Sequence, residues 1–164
     1  AAALTNLSLN GDATSWSAHM QNDMIRCGAS SVFISWLCDP TLGKPEDAAQ
    51  ALSHIARHNA DAQATIASEG AIPALIAMLA PSEQAVPGEP PAQAAHRAAQ
   101  ATLLACQQSW AAAALAALAE ENAYNQIAIA EEGGIAPLVA VLRSSTTTPH
   151  QSATRALWYL ASDR

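Results

Sequence analysis

The sequence has few charged and few aromatic residues, and positive charges are scarcest of all. Of its 164 residues, 13% are charged and 4% are aromatic. Only 7 are Lys or Arg, against 14 Asp or Glu, so the formal net charge is −7. A nucleic-acid binder needs clustered cations to displace counterions from phosphates, and here they are scattered. An anionic membrane surface would repel the chain for the same reason. We therefore expect neither as a partner.

Long apolar runs and recognisable cysteine patterns are also missing. The longest purely apolar run, Trp110 to Ala119, is about half of what a bilayer-spanning helix needs, so no membrane insertion is expected. Cys27, Cys38 and Cys106 stand at unrelated spacings, which is typical of reduced thiols. No signal-peptide pattern opens the chain. These features predict an intracellular, cytoplasmic protein, with the nucleus as the alternative.

What the sequence does have is alanine. Apolar residues make up 51% of the chain, and alanine is the commonest of them, the best helix former and small enough to let helices approach closely. Runs of Val, Ile and Thr are few, and no stretch alternates between apolar and polar residues as a half-buried strand would. The sequence therefore predicts an all-α fold with tightly packed helices.

A phrase of 21 residues recurs along the chain. Residues 59–79, NADAQATIASEGAIPALIAML, return at 122–142 as NAYNQIAIAEEGGIAPLVAVL, and a weaker copy lies upstream around Gly28. Each copy is followed by an Ala/Leu-rich helix. Gly28 and Gly70 stand 42 residues apart, and so do Leu115 and Leu157. A period near 42 lies in the range of armadillo and HEAT repeats.

Each unit is predicted to contain a short helix, a glycine turn, a second helix and a longer third helix. The glycines, Gly28, Gly70 and Gly133, stand where a left-handed residue usually ends a helix. Pro73 and Pro137 then fall in the first turn of the second helix, where the missing N–H does no harm.

These phrases resemble the armadillo repeat family, and HEAT repeats are the alternative. Armadillo units open their second helix with Gly-x-Ile/Leu-Pro-x-Leu, which "EGAIPALIAML" and "EGGIAPLVAVL" resemble. The resemblance implies a single domain, a right-handed α-α superhelix of about three repeats plus a partial N-terminal one, within a longer chain or larger complex. Its parts would be the last helix of a preceding repeat at 1–9 and repeats at 17–58, 59–121 and 122–164.

The middle unit departs from the period, with an insertion at about 81–108. Residues 81–91 contain four prolines and a glycine and cannot continue a helix. Residues 92–121 contain no helix breaker, so we predict one lengthened third helix; a separate helix ending near Gln107–Ser109 is the alternative. The insertion is either a binding surface or a tolerated surface addition.

Nothing in the sequence indicates catalysis. His54 and His58 stand four apart on a predicted helix, but no further ligands with zinc-site spacing accompany them. Adjacent glutamates such as Glu120 and Glu121 point different ways on a helix and are interpreted as a solvated face. No catalytic motif is present. We therefore predict a protein that is not an enzyme and holds no cofactor and no metal.

Binding of a protein or peptide is the favoured function, as part of a scaffold or adaptor. In a solenoid the third helices line a continuous concave surface, and this surface would hold a peptide or partner helix. One alternative is a structural segment of a stable multi-subunit assembly. The residues predicted to project from the concave face are Asn6, Asp47, Gln50, His54, Arg57, Trp110, Arg155 and Tyr159. Trp36 and Trp158 are predicted to be buried.

The other alternative is a cargo receptor similar to importin-alpha, whose repeats carry an asparagine ladder that binds peptide backbone. The corresponding positions here are Asn6, His54, Ala117 and Tyr159, of which only Asn6 is an asparagine. The positions that hold tryptophan in such receptors are Ala2, Gln50, Ala113 and Arg155. These departures disfavour the receptor.

Overall fold

A computed structural model describes residues 18–80, 90–144 and 149–162 of the chain. The described residues form nine α-helices and no β-strand, so the predicted all-α class is confirmed. The predicted helix at 1–9, Asn6 and most of the proline-rich loop lie outside the described residues. The helices are α1 Ala18–Arg26, α2 Ala29–Cys38, α3 Pro45–Ala56, α4 Ala60–Ser68, α5 Ala71–Ala77, α6 Pro91–Ala119, α7 Ala123–Glu131, α8 Ile135–Arg143 and α9 His150–Ala161.

The helices form three successive groups, and each group consists of two short helices followed by a longer one. The first helices pack in sequence, α1 against α4 and α4 against α7, and the second helices α2 and α5 are in contact. The third helices make the most extensive contacts, because α6 packs against α3 on one side and α9 on the other. Most inter-unit packing thus joins helices that hold the same place in successive units.

Glycine turns join the first and second helices of each unit, as the repeat predicts. The φ angles of Gly28, Gly70 and Gly133 are 74°, 88° and 77°, the left-handed region that only glycine adopts at little cost. Pro73 and Pro137 lie in the first turn of α5 and α8.

Helix α6 is one continuous helix of 29 residues, not two. Nine consecutive residues at its C-terminal end, Ala111 to Ala119, are buried, because α3 and α9 cover both sides. By length and composition alone, Ala92–Ala119 would be long and apolar enough to cross a membrane, and 56% of its most apolar window is buried inside the protein. The core helix of a globular protein meets the same criterion.

Buried amide side chains tie the first helix of each unit to the end of a third helix. The Gln21 Nε2 of α1 donates hydrogen bonds to the carbonyls of His54 and Arg57, both at 3.0 Å. Gln63 on α4, in the corresponding position, donates to the carbonyls of Ala117 at 2.9 Å and Glu120 at 3.1 Å. The last carbonyls of a helix have no partner within it, so these glutamines satisfy the ends of α3 and α6.

Asparagine caps complete both connections. Asn59 accepts the N–H of Ala62 at the start of α4, and its Nδ2 donates to Gln21 Oε1 at 3.0 Å. Asn122 does the same at the start of α7, donating to Gln63 Oε1 at 3.1 Å. Each asparagine therefore caps one helix and orients the glutamine that satisfies another.

Replacing Gln63 with methionine should strongly destabilise the protein. The variant keeps the side-chain volume but leaves two carbonyls and the Asn122 amide without their partner, at a cost of about 3 kcal/mol in the free energy of unfolding. Urea denaturation followed by circular dichroism measures this loss. Gln126→Met is the matched control: Gln126 holds the corresponding place on α7 and donates one bond, to Ala119, so about 1 kcal/mol should be lost. Equal losses would contradict this account.

Gly70→Ala should lower the free energy of unfolding by about 1–2 kcal/mol. A methyl group at this position would meet no atom within 4 Å, so the cost comes from the left-handed backbone and not from a clash. Gly70→Asn should recover part of the loss, because asparagine tolerates this conformation better than alanine. Thermal denaturation of both variants provides the comparison, and an alanine variant as stable as the parent would refute the prediction.

Candidate functional site

The candidate site lies on the exposed side of the third helices, which we name the third-helix face. The structure describes seven of the eight sequence-predicted residues, and all lie on α3, α6 or α9 or at the end of α3. Arg155 is exposed, and Asp47, Gln50, His54, Arg57, Trp110 and Tyr159 are half-buried.

A polar notch at the C-terminal ends of α3 and α6 is centred on Glu120. Its carboxylate accepts a hydrogen bond from the Tyr159 hydroxyl at 2.7 Å and one from the His58 backbone N–H at 3.2 Å. The His58 imidazole Nδ1 lies 3.2 Å from Glu120 Oε2. Only 15% of the Glu120 side chain is exposed, so this carboxylate is not part of a solvated face as predicted. That interpretation was wrong because it assumed that the helix continued past Ala119.

The backbone explains why Glu120 turns inward. Glu120 is the C-cap of α6 and has left the helix, with φ −62° and ψ 112°. The next residue, Glu121, has a φ of +53°, and His58, in the corresponding place after α3, has a φ of +54°. Both third helices therefore end in the same sharp turn, which directs Arg57 and Glu120 to corresponding places on the face.

Two arginines border the notch. Arg57 from the end of α3 and Arg155 from α9 line a cleft of about 190 Å³, and its other lining residues are His58, Ala116, Ala117, Glu120 and Tyr159. Neither arginine forms an ion pair with another side chain in the described part of the chain. The cleft therefore contains two guanidinium groups and one carboxylate, and because Glu120 accepts its hydrogen bonds from Tyr159 and His58, the guanidinium groups are left as donors to an incoming anionic group.

Burial and the Glu120 carboxylate both act on Tyr159. Burial raises the pKa of the Tyr159 phenol, and the hydrogen bond to Glu120 raises it further. The phenol therefore stays protonated at neutral pH and remains the donor to the carboxylate. This bond joins α9 to the end of α6 across the notch.

His54 and Trp110 form a second, more apolar part of the face. Their ring centroids lie 6.2 Å apart, at an interplanar angle of 50°. Burial lowers the pKa of the His54 imidazole, and the nearby charge of Arg57 lowers it further. A neutral imidazole beside an indole offers an incoming chain an aromatic surface with one polar edge.

Asp47 and Gln50 extend the face toward the start of α3. They stand seven and four residues before His54, so all three project from one side of the helix. The structure thus brings Arg57, Arg155 and Tyr159 into one cleft and places His54 against Trp110, while Asp47 and Gln50 lie one to two turns away.

Sequence reasoning missed two residues of the notch, His58 and Glu120. The signal available was the repeat itself, because Arg57 and Glu120 occupy the same position in their units with opposite charge. Within the described residues, no group of three His, Cys, Asp or Glu side chains could hold a metal ion.

The two tryptophans predicted to be buried, Trp36 and Trp158, differ in how exposed they are. Trp36 is half-buried, packing against the core with its ring centroid 5.6 Å from that of Phe33. Trp158 on α9 is 60% exposed, so the prediction for it was wrong.

Comparisons with known proteins give little further guidance. No protein-family model matches the chain, and no curated protein matches it. Among solved structures, the crystal structure of an engineered protein from the Northeast Structural Genomics Consortium is similar, with a TM-score of 0.43 and 22% sequence identity over 98% of this chain. The chain spans 47% of the length of that protein. A likeness at this TM-score carries no argument about helix arrangement or function.

The lowered pKa of His54 predicts a stability that falls in mild acid. The unfolded chain takes up the proton near the ordinary pKa of 6.5, and the folded chain only at lower pH. The part of the free energy of unfolding that depends on a neutral His54 is therefore fully present above pH 6.5, and it is lost as the pH falls toward the folded-state pKa. Urea denaturation at pH 7.5 and 5.5 should show a smaller loss for His54→Gln than for the parent. Gln50→Ala changes no titratable group, so its free energy of unfolding should fall between pH 7.5 and 5.5 by as much as that of the parent. If all three proteins lose the same amount, His54 is not the cause of the pH dependence.

Proposed function

We propose that the chain is an armadillo-type module of a scaffold or adaptor, which binds a peptide or partner helix on the third-helix face. The proposal includes the arrangement of the helices as a right-handed superhelix of three units. Its support is the packing of α1, α4 and α7 in sequence and of α6 between α3 and α9. Because most inter-unit contacts join corresponding helices, stacking buries sides that a single unit could not cover.

The observation that carries the binding proposal is the cleft beside Tyr159 with two arginines that form no ion pair among the described residues. Arg57 and Arg155 approach it from different helices, and His54 and Trp110 lie on the adjoining turns of α3 and α6. Arginine, tryptophan and tyrosine are the residues that most often anchor interfaces. We therefore propose a ligand with an Asp or Glu side chain between the arginines and an apolar side chain against Trp110.

Binding is favoured over catalysis by the state of the polar groups. Glu120 is engaged by Tyr159 and His58, and the Tyr159 phenol is held in its protonated form, so Tyr159 is not poised to release a proton. The ends of α3 and α6 are held by buried hydrogen bonds from Gln21 and Gln63. A face that is ordered in advance loses little conformational entropy when it binds.

The positions that correspond to the asparagine ladder give no support to a cargo receptor similar to importin-alpha. They hold His54, the buried Ala117 and Tyr159, whose hydroxyl is already bonded to Glu120. None of the three presents a free carboxamide to peptide backbone.

A structural role in a stable assembly remains a second candidate, for a separate reason. Large apolar side chains are exposed on all three helices of the last unit. Contiguous exposed apolar surface marks contacts with other polypeptides.

Selection of peptides from a random display library against the immobilised chain tests the proposal. We expect selected peptides to share an acidic residue near a large apolar one. Arg57→Gln combined with Arg155→Gln should weaken their binding at least about tenfold, because charge-assisted hydrogen bonds to a carboxylate are lost. Isothermal titration calorimetry measures the change.

Arg143→Gln is the matched control, because Arg143 is an exposed arginine at the end of α8 and does not line the cleft. This variant should bind as the parent does. Selected peptides without acidic residues, or equal weakening by Arg143→Gln, would refute the assignment of the cleft.

A further inference from the structure

The arginine cleft contains an anionic side chain that belongs to the protein itself. Glu120 lines the same cavity of about 190 Å³ as Arg57 and Arg155, and only 15% of its side chain is exposed. A carboxylate that is largely withdrawn from water needs hydrogen bonds or a cation, and two guanidinium groups border this cavity. Glu120 is therefore a potential competitor of any anionic ligand for the two arginines.

Glu120 nevertheless takes other partners. Its Oε1 accepts the hydrogen bond of the Tyr159 hydroxyl at 2.7 Å. Its Oε2 accepts the backbone N–H of His58 at 3.2 Å and lies 3.2 Å from Nδ1 of the same residue. Among the ion pairs of the described residues, none joins Glu120 to Arg57 or Arg155. Both oxygens of the carboxylate are thus engaged, and the two guanidinium groups are left to a ligand.

The turn after α6 brings Glu120 to the notch but does not orient its carboxylate. Glu120 is the C-cap of α6, with φ −62° and ψ 112°, and the left-handed Glu121 follows it. Three side-chain torsions still separate the backbone of Glu120 from its carboxylate, and each of them has more than one allowed setting. The hydrogen-bonding partners select among these settings, and Tyr159 is the partner of Oε1.

The charges that act on Tyr159 show that the alternative partners lie close by. Burial has the largest effect on the pKa of the Tyr159 phenol and raises it, and the Glu120 carboxylate raises it further. The positive charge of Arg155 acts on the same phenol in the opposite direction. The hydroxyl that holds Glu120 therefore lies within the electrostatic reach of an arginine of the cleft.

We propose that Tyr159 is a positioning residue of the binding site, whose hydroxyl holds the Glu120 carboxylate away from Arg57 and Arg155. Without this hydroxyl, Oε1 of Glu120 loses its partner, and an ion pair with one of the arginines replaces the lost hydrogen bond. The cleft is then closed by a side chain of the protein itself. This role rests on the proposed function, because it sets the affinity of the cleft for an acidic peptide.

Tyr159→Phe removes the hydroxyl and keeps the ring. If the closed form then makes up about nine tenths of the molecules, the apparent affinity for a selected acidic peptide falls about tenfold. Isothermal titration calorimetry measures this loss. Tyr124→Phe is the matched control, because Tyr124 is 79% exposed on α7 and does not line the cleft, and this variant should bind as the parent does.

A double-mutant cycle with Glu120→Gln separates positioning from a direct contact between Tyr159 and the peptide. In the parent, Glu120→Gln removes a neighbouring negative charge and should raise the affinity only about threefold. In the Tyr159→Phe protein it also removes the competitor, so the gain should be about thirtyfold and the double variant should bind as tightly as Glu120→Gln alone. An equal gain in both proteins would refute the positioning role, because the hydroxyl would then contact the peptide itself.

A second measurement needs no peptide. The ¹⁵N NMR signals of the arginine Nε–H groups report on ion pairing, and Arg57→Gln and Arg155→Gln assign the two signals of the cleft. In Tyr159→Phe at least one of these signals should shift, and adding Glu120→Gln should return it to its place in Glu120→Gln alone. Unchanged signals in Tyr159→Phe would overturn the positioning role even if the parent binds acidic peptides. If the signals shift as expected but the parent binds no acidic peptide, the proposed function fails and the positioning of Glu120 by Tyr159 stands.

Discussion

The last carbonyls of an α-helix have no partner in their own helix, and burying them without one is costly. In this protein the ends of α3 and α6 are partly buried. Gln21 and Gln63 satisfy their carbonyls from neighbouring helices, and each is held in place by an asparagine that also caps the next helix. The position of one third helix is thereby linked to the start of the following unit. Packing of alanine against alanine is weakly directional, so these buried amides determine how the units register on one another.

The same chain turns position the candidate site. After the third helices end, His58 and Glu121 adopt left-handed backbone, and Arg57 and Glu120 extend onto the exposed face at the point where the carbonyls are capped. The site is therefore attached to the most constrained part of the fold. The bond from Tyr159 to Glu120 carries this rigidity to α9, so that the arginines border a cleft whose walls are fixed before any ligand arrives.

Local chemistry explains which features the sequence could predict. The left-handed glycines, the prolines of the second helices and the uninterrupted α6 follow from backbone rules acting over a few residues, and the structure has all of them. The candidate face followed from the register of the repeat. Glu120 and Trp158 were misjudged because their environment depends on tertiary partners. An inward turn brings Glu120 to Tyr159, and Trp158 is exposed although Ser53 and Ala116, at the same position in the other units, are buried.

Nine consecutive buried residues in α6, seven alanines and two leucines, allow α3 and α9 to pack closely against its two sides. Ala116 and Ala117 of this run also form the floor of the cleft between Arg57 and Arg155. A larger side chain there would spread the helices and widen the distance between the two guanidinium groups. The width of the cleft is thus set by the smallest residues of the chain, while its charge is set by the side chains at its rim. Substitutions at the rim could therefore change the charge of the cleft and leave its width intact, whereas substitutions of the buried alanines could not.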